Sequence, residues 1–274
     1  PHFGAGGGGG YPVADGRSGM SAKKICVWSG KRGGFGALTP TMRAIQDHDD
    51  LELALVVTDQ HLYDKFGRTI REVEGQFPVA AAIDMEQAGD SNEERARAVG
   101  LCLQRSVDVL ADLKPDALLV IGDRGEVFAA CIAAHNMRIA IAHVQGGDLS
   151  GSLDEPVRHA ITKLSHIHFP STEQSAERIH RMGEEPWRIH VAGDTHIDQI
   201  LLGTATAEDE LRQRYELPPD EPFVLLLQHS DSTVPQASRA QIDATLAGVA
   251  KAGLRTMLVY PCSDQGYEGI IDGL

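Results

Sequence analysis

The sequence predicts an α/β protein built on parallel strands, and three observations carry that reading. From Lys24 onward, strand-sized apolar runs alternate with segments of helical period. That alternation calls for parallel pairing through crossover helices on both faces of a sheet. The longest apolar runs, at 117–122 and 223–227, are the length of buried strands. The residues after these runs are polar and glycine-rich, as suits the ligand-facing end of a doubly wound sheet.

Taken in order, the first nineteen residues stand apart. They hold eight of the 29 glycines, including the run 6–10. No strand precedes these glycines and no helix follows them, so 1–19 reads as a flexible leader rather than a phosphate-binding loop. The run at 25–28 is the first strand, and a helical pattern follows at 38–48. A strand at 51–58, a helix at 63–73 and a long amphipathic helix at 93–113 come next. The strand 117–121 ends in Gly122-Asp123-Arg124. Then come a helix at 125–136, a strand at 139–143, a helix at 155–164, a short strand at 167–169 and a helix at 175–182. Pro156 suits the first turn of its helix, where a missing N–H costs nothing. These elements define an N-terminal Rossmann-like domain over 20–193.

A second unit, 194–274, holds a helix at 206–215 and the break Pro218-Pro219. A strand at 223–228, a helix at 236–252, a strand at 256–260 and a helix start at 265–274 follow. One β-α-β unit with a trailing helix is too little for a free-standing sheet. This unit is therefore read as an incomplete domain.

Composition narrows the function. Lys and Arg number 25 against 39 Asp and Glu, a net charge of −14. Such a chain is a poor general binder of nucleic acid or of anionic membranes. An anionic ligand would need a local basic pocket. No run of eighteen apolar residues predicts a membrane-spanning helix, and no secretory signal is visible. The four cysteines are scattered, with no Cys-x-x-Cys pair; they read as reduced, packed thiols in a cytoplasmic protein.

The loops after the strands carry the candidate chemistry. In 29–36 the glycines permit close backbone approach, and Arg32 can fork onto a phosphate; the plainer alternative is a turn with a solvated Arg. Asp123 is either an acid/base or a helix cap, and Arg124 beside it can hold a leaving phosphate. Asp154 poses the same choice at the start of the helix carrying Arg158. His159, His166 and His168 lack a carboxylate or Cys at a familiar metal-ligand spacing. His229, after a strand, can bind phosphate or move a proton.

Gly122-Asp123-Arg124, the stretch 143–151 (His-Val-Gln-Gly-Gly-Asp-Leu-Ser-Gly) and the stretch 154–166 resemble the UDP-N-acetylglucosamine 2-epimerases. They are most similar to the hydrolysing branch, which makes N-acetylmannosamine for sialic acid and related sugars. The loop 30–36, Asp59-Gln60-His61, Met182-Gly183-Glu184, Ala192-Gly193 and Gln228-His229 fall in the family's order, and the likeness covers about 24–272. It implies a glycosyltransferase-B-like fold, with two Rossmann-like domains facing a sugar-nucleotide cleft. It also implies that family members continue past residue 274.

The implied reaction eliminates UDP across C1 and C2 of the sugar to give a glycal, which water then adds to. Asp123 and Asp154 carry over as acid/base residues. Arg32, Arg124 and His229 carry over as diphosphate contacts. Gly36, His61, Asp148, Arg158 and Cys262 carry over as substrate-binding positions. No metal or redox cofactor is implied, and the partners would be a sugar nucleotide and further copies of the chain, as a dimer or tetramer.

Three departures bear on this. Gln145 stands where many members carry a catalytic glutamate, and an amide is no general base. Restoring the acid by Gln145→Glu is expected to preserve or raise activity. Gly34 replaces an acidic residue, and Cys262 replaces an asparagine near the nucleotide's base or ribose. Alternatives of other kinds are a non-catalytic sugar-nucleotide binder, an epimerase for another N-acetylated sugar nucleotide, and a glycosyltransferase, which 154–163 argues against.

Overall fold

The computed structural model describes residues 21–87, 89, 91–201 and 206–274; the expected leader 1–19 lies outside the described residues. The first unit is a six-stranded sheet with helices on both faces. Its elements are β1 (Lys23–Ser29), α1 (Arg32–Gln46), β2 (Leu51–Thr58), α2 (Ile70–Glu74), β3 (Val79–Ile83), α3 (Asn92–Leu113), β4 (Ala117–Ile121), α4 (Gly125–Asn136), β5 (Ala140–Val144), α5 (Asp154–Leu164), β6 (Ile167–Phe169), α6 (Glu173–Arg181) and α7 (Thr195–Leu201). The strands lie in the order β3-β2-β1-β4-β5-β6, all parallel. Chain progression reverses between β1 and β4, and a crevice opens beyond their carboxyl ends.

Alternation along the strands builds two cores. From β1, Cys26 and Trp28 point to one face with Leu118 and Val120, under α3 and α4. Val27 points to the other face with Leu119 and Ile121, under α1. The central strands β1 and β4 are thus buried on both sides, as the middle of a parallel sheet requires. On α3, Ala98, Cys102, Ser106 and Leu110 recur every four residues and are buried. Ser91 and Glu94 close a capping box at its start, satisfying two otherwise orphaned donors. Small residues on α4, among them Ala129, Ala130, Ala133 and Ala134, are fully buried, which lets α3 approach closely.

Four elements differ from the sequence reading. The helix expected at 63–73 is largely 3₁₀ turns, with only α2 at its end. Gly67 adopts φ +83° and interrupts the helical path. β3 was not expected: its Val-Ala-Ala-Ala-Ile core is weakly β-forming and is held by pairing with β2. α1 begins at Arg32 rather than 38, running through three glycines that propensity disfavours. α7, also unexpected, lies past residue 193 and packs on α1 of the first unit.

The rest of the chain comprises α8 (Glu208–Arg214), β7 (Phe223–Leu227), α9 (Ser238–Ala252), β8 (Arg255–Val259) and α10 (Tyr267–Gly273). β7 and β8 form a parallel two-stranded sheet, and α10 packs on α9. Leu225 and Leu227 are exposed on one face by 61% and 51%, and Leu258, paired with Leu226 on the other face, by 49%, so neither sheet face is fully covered among the described residues. No described helix is long and apolar enough to cross a membrane.

Candidate functional site

The crevice at the β1/β4 reversal holds a cleft of about 260 Å³. Its walls are the loop after β1 (Gly30, Lys31), the first turn of α1 (Gly33, Gly34), the segment after β4 (Asp123, Arg124), the loop after β5 (Gln145, Asp148) and Arg158 of α5. His196 of α7 and Glu126 of α4 complete it. Five of the expected site residues therefore meet in one place: Asp123, Arg124, Gln145, Asp148 and Arg158.

Gly122, at φ +76°, turns the chain out of β4. Asp123 then stands at the mouth of the cleft rather than capping α4, whose N-terminus has no side-chain cap. The Arg158 guanidinium donates to the Asp123 carboxylate. Its other amino group donates to the Asp148 carbonyl at 2.8 Å. The Asp148 carboxylate accepts from Ser175, and Arg178 donates to the Gly147 carbonyl. These bonds fix the β5–α5 loop. Gly147 itself, at φ +84°, leaves no room for a side chain, since a Cβ there would lie 2.5 Å from the Ser175 carbonyl.

Arg124 is buried in a cage of acids. It pairs with Asp264, and lies 3.4 Å from Asp59 and 3.5 Å from Glu126. It also donates to the Ser263 hydroxyl at 2.8 Å. Burial opposes its charge, but Glu126, Asp264 and Asp59 together hold it firmly protonated. Burial pushes the Glu126 carboxyl up, and Asp59 adds to this against the pull of Arg124. Among the described residues, Glu126 Oε1, Asp59 Oδ1 and Arg124 Nε have no hydrogen-bond partner. Asp264 is held below the usual carboxylate range: burial raises it, but Arg124, Lys31 and His229 outweigh that. Ser263 and Asp264 follow β8, so this cluster ties the second sheet to the first unit.

Asp154 is half-buried at the start of α5. Burial and the nearby Asp123 push its carboxyl up. Gln145 adopts φ +61°, and its amide donates to Asp194 at 3.1 Å. Arg32 sits at the other rim, exposed, and reaches across to the Tyr260 carbonyl at 3.2 Å. His229 accepts from the Cys262 main-chain N–H at 3.3 Å and lies 3.8 Å from Asp264. Arg32, His229 and Cys262 thus gather where the second sheet meets α1, beside the cleft rather than lining it.

Two expected substrate positions are not brought to the cleft. His61 is fully buried, with its ring nitrogens bonded to Ser29 at 2.9 Å and Thr69 at 2.8 Å. Burial, reinforced by Arg32, lowers it to about 4, so it is a neutral structural histidine. Gly36 lies inside α1, with open space around it and no place in the cleft wall. Residues not foreseen are Glu126, Asp194 and His196, whereas Lys31 and Ser263 fall within the polar segments after strands. Asp264 was visible as a polar residue after a strand. His196 had no signal, because its helix was not predicted.

The family model for UDP-N-acetylglucosamine 2-epimerases matches residues 43–273. A Legionella pneumophila UDP-N,N'-diacetylbacillosamine 2-epimerase (hydrolyzing) is 34% identical over 245 residues, covering 89% of this chain and 65% of that protein. A Neisseria meningitidis serogroup B UDP-N-acetylglucosamine 2-epimerase is 31% identical, covering 92% of this chain and 66% of its own length. The chain thus spans just under two thirds of these relatives. The crystal structure of a Neisseria meningitidis UDP-GlcNAc 2-epimerase bound to UDP-GlcNAc superposes with a TM-score of 0.74 at 22% identity, covering 92% of this chain and 69% of that one. A Methanocaldococcus jannaschii UDP-GlcNAc 2-epimerase in complex with UDP-GlcNAc and UDP also gives 0.74, at 20% identity, with coverage of 91% and 68%. These likenesses show a shared α/β fold of the glycosyltransferase-B-like kind, present here as a six-stranded parallel sheet and a second, partial sheet.

Proposed function

The chain belongs to the UDP-N-acetylglucosamine 2-epimerase family, and we propose that it is a hydrolysing sugar-nucleotide 2-epimerase. It converts UDP-N-acetylglucosamine to N-acetylmannosamine and UDP, feeding the synthesis of sialic-acid-like or surface-polysaccharide sugars. The observation that carries this reading is the adjacency of Asp123 and Arg124 in one cleft. The first is a carboxylate aimed by Arg158, and the second is a buried cation. Elimination of a diphosphate needs both, a base for the C2 proton and a positive charge for the departing oxygens.

In this reading Asp123 takes the C2 proton. The C–H electron pair becomes the C1=C2 bond, and the C1–O bond breaks with its electrons on UDP. Arg124, with Arg32 and His229 at the rim, receives the diphosphate. Water then adds at C1 while a proton returns to C2 from the other face. Asp154, whose carboxyl is pushed up, is placed to hold a proton near Asp123. Asp148 and Arg158 shape the sugar side of the cleft, and Cys262 lies toward the nucleotide side.

A second substrate deserves the same assay. The Legionella relative is named for UDP-N,N'-diacetylbacillosamine, which supports testing that nucleotide beside UDP-N-acetylglucosamine. The experiment incubates the intact protein with each in D₂O and follows the proton spectrum. Free UDP with a product deuterated at C2 and inverted there supports the proposal. Saturable binding of both nucleotides without UDP release refutes it in favour of a non-catalytic binder.

A further inference from the structure

The three carboxyl groups around Arg124 differ in origin and in the atoms they hold. Asp264 comes from the second sheet and pairs with one amino group of the guanidinium. Asp59 and Glu126 belong to the first unit. Asp59 lies 3.4 Å from the other amino group, and Glu126 lies 3.5 Å from Nε. Glu126 is buried on the first turn of α4 and lines the cleft. The Gly30 main chain presses on it from the β1 side, where a Cβ would collide with Oε1. The carboxyl is therefore pinned between the loop after β1 and the Nε edge of the guanidinium.

Building on the epimerase reading, we propose that Glu126 is the positioning residue of Arg124, fixing the Nε edge of the guanidinium so that both amino groups face the leaving diphosphate. Those amino groups already point to the second unit, where they meet Asp264 and the Ser263 hydroxyl. The hydrogen-bond count around Glu126 supports the role. Among the described residues, Glu126 Oε1, Asp59 Oδ1 and Arg124 Nε lack a partner, so two acceptors stand beside one donor. A proton on Glu126 supplies the second donor, since a carboxylic acid donates through one oxygen and accepts through the other. Burial pushes the Glu126 carboxyl up, Arg124 pulls it down, and Asp59 raises it again. The net rise is in the direction that the count requires.

The charged and titratable groups that face Glu126 come from each element packed against it. Lys31 follows β1, Asp59 follows β2 and Arg124 follows β4. The Cys102 thiol of α3 donates to the Glu126 carbonyl at 3.9 Å and is pushed up to about 12, mainly by burial, so it stays neutral. Asp264 lies beyond Arg124. An uncharged Glu126 leaves this cage with one negative charge fewer, which lowers the repulsion on an arriving diphosphate. Ligand binding and a proton on Glu126 therefore favour each other.

The test measures UDP affinity by calorimetry in the intact protein, at a series of pH values rising from the ordinary glutamate range. Glu126→Ala is expected to bind UDP ~10-fold more weakly than wild type at the lowest pH, the scale of one lost hydrogen bond to a charged group. Glu126→Gln keeps a donor and an acceptor in the same shape, so it should match wild type there. As pH rises, wild-type affinity should fall relative to Glu126→Gln, by at most about tenfold per pH unit, the slope of one proton taken up with the ligand. Groups common to both proteins cancel in that ratio. A packing role alone would weaken both variants at every pH with no change in the ratio, and that result overturns the proposal. So does wild-type affinity in Glu126→Ala. If Glu126→Ala does not fold, the ratio of wild type to Glu126→Gln decides. If the wild type binds no UDP and releases none from UDP-N-acetylglucosamine, the epimerase reading fails and this inference falls with it. If the wild type does both and only the variants miss expectation, the inference alone fails.

Discussion

Arg158 aims Asp123 and ties down the loop that carries Asp148, using two arms of one guanidinium. One amino group holds the carboxylate after β4 and the other holds the Asp148 carbonyl after β5. Both side chains are largely buried, at 10% and 17% exposure. The pair therefore sets the distance between two walls of the cleft.

Removing that setting should cost rate. Arg158→Ala is expected to lower kcat by about 100-fold, the scale on which misplacing a catalytic group acts. Arg158→Lys keeps the charge but has no fork, so it should recover only part of the loss. Asp123→Asn should abolish turnover while leaving the melting temperature nearly unchanged. Steady-state kinetics and thermal melts check all three, and Asp123→Asn retaining most of the wild-type rate would remove that residue from the chemistry.

Gln145→Glu should not improve the protein, contrary to what the sequence alone suggested. The new carboxylate would stand against Asp194, whose oxygen lies 3.1 Å from the present amide. Like charges at this range repel by ~1–4 kcal/mol, and partial exposure favours the lower end. The variant should be less stable and less active at pH 7. Adding Asp194→Asn should recover stability, and a double-mutant cycle in urea reads the coupling directly.

Glu126 should make stability fall as pH rises. Its folded carboxyl is raised above the ordinary glutamate range, mainly by burial. The native state therefore holds a proton that the unfolded chain has already lost. Stability attached to this group is fully present below the ordinary range and is lost as pH climbs through the raised value. Glu126→Gln removes the dependence, so the variant should gain on the wild type as pH rises above the ordinary glutamate range. Asp264 and Asp194, both lowered, contribute with the opposite sign in both proteins, and the difference between the two urea curves isolates Glu126.

Arg124→Ala should destabilise more than any surface change. It leaves Asp59, Glu126 and Asp264 without their shared cation in a buried place. Breaking such an arrangement costs about 3–5 kcal/mol. The loss should also abolish measurable UDP binding by calorimetry. Binding at wild-type affinity would take Arg124 out of the phosphate site.

Particular residues show what the sequence could and could not reveal. Asp123 and Arg124 were legible because a strongly apolar strand ends just before them. His61 obeyed the same positional rule and misled. The left-handed turn at Asp59, φ +48°, carries the chain inward, and His61 lands on Ser29 instead of the cleft. β3 was hidden by its alanines. α7 was hidden because Ile197, Ile200 and Leu201 are exposed, so its apolar residues trace no buried stripe. The acid cage depends on Asp59, Glu126 and Asp264, which are brought together only by the folded chain.

The cage also makes ligand capture a substitution rather than an addition. Arg124 already has three carboxyl groups around it, so a phosphate binding there as proposed would displace one, and Asp264 is the member supplied by the second sheet. Such an exchange would trade one counterion for another and loosen the joint between the two sheets in the same event. Affinity should accordingly respond weakly to ionic strength compared with capture by a bare guanidinium, while the spacing of the two units should respond to occupancy.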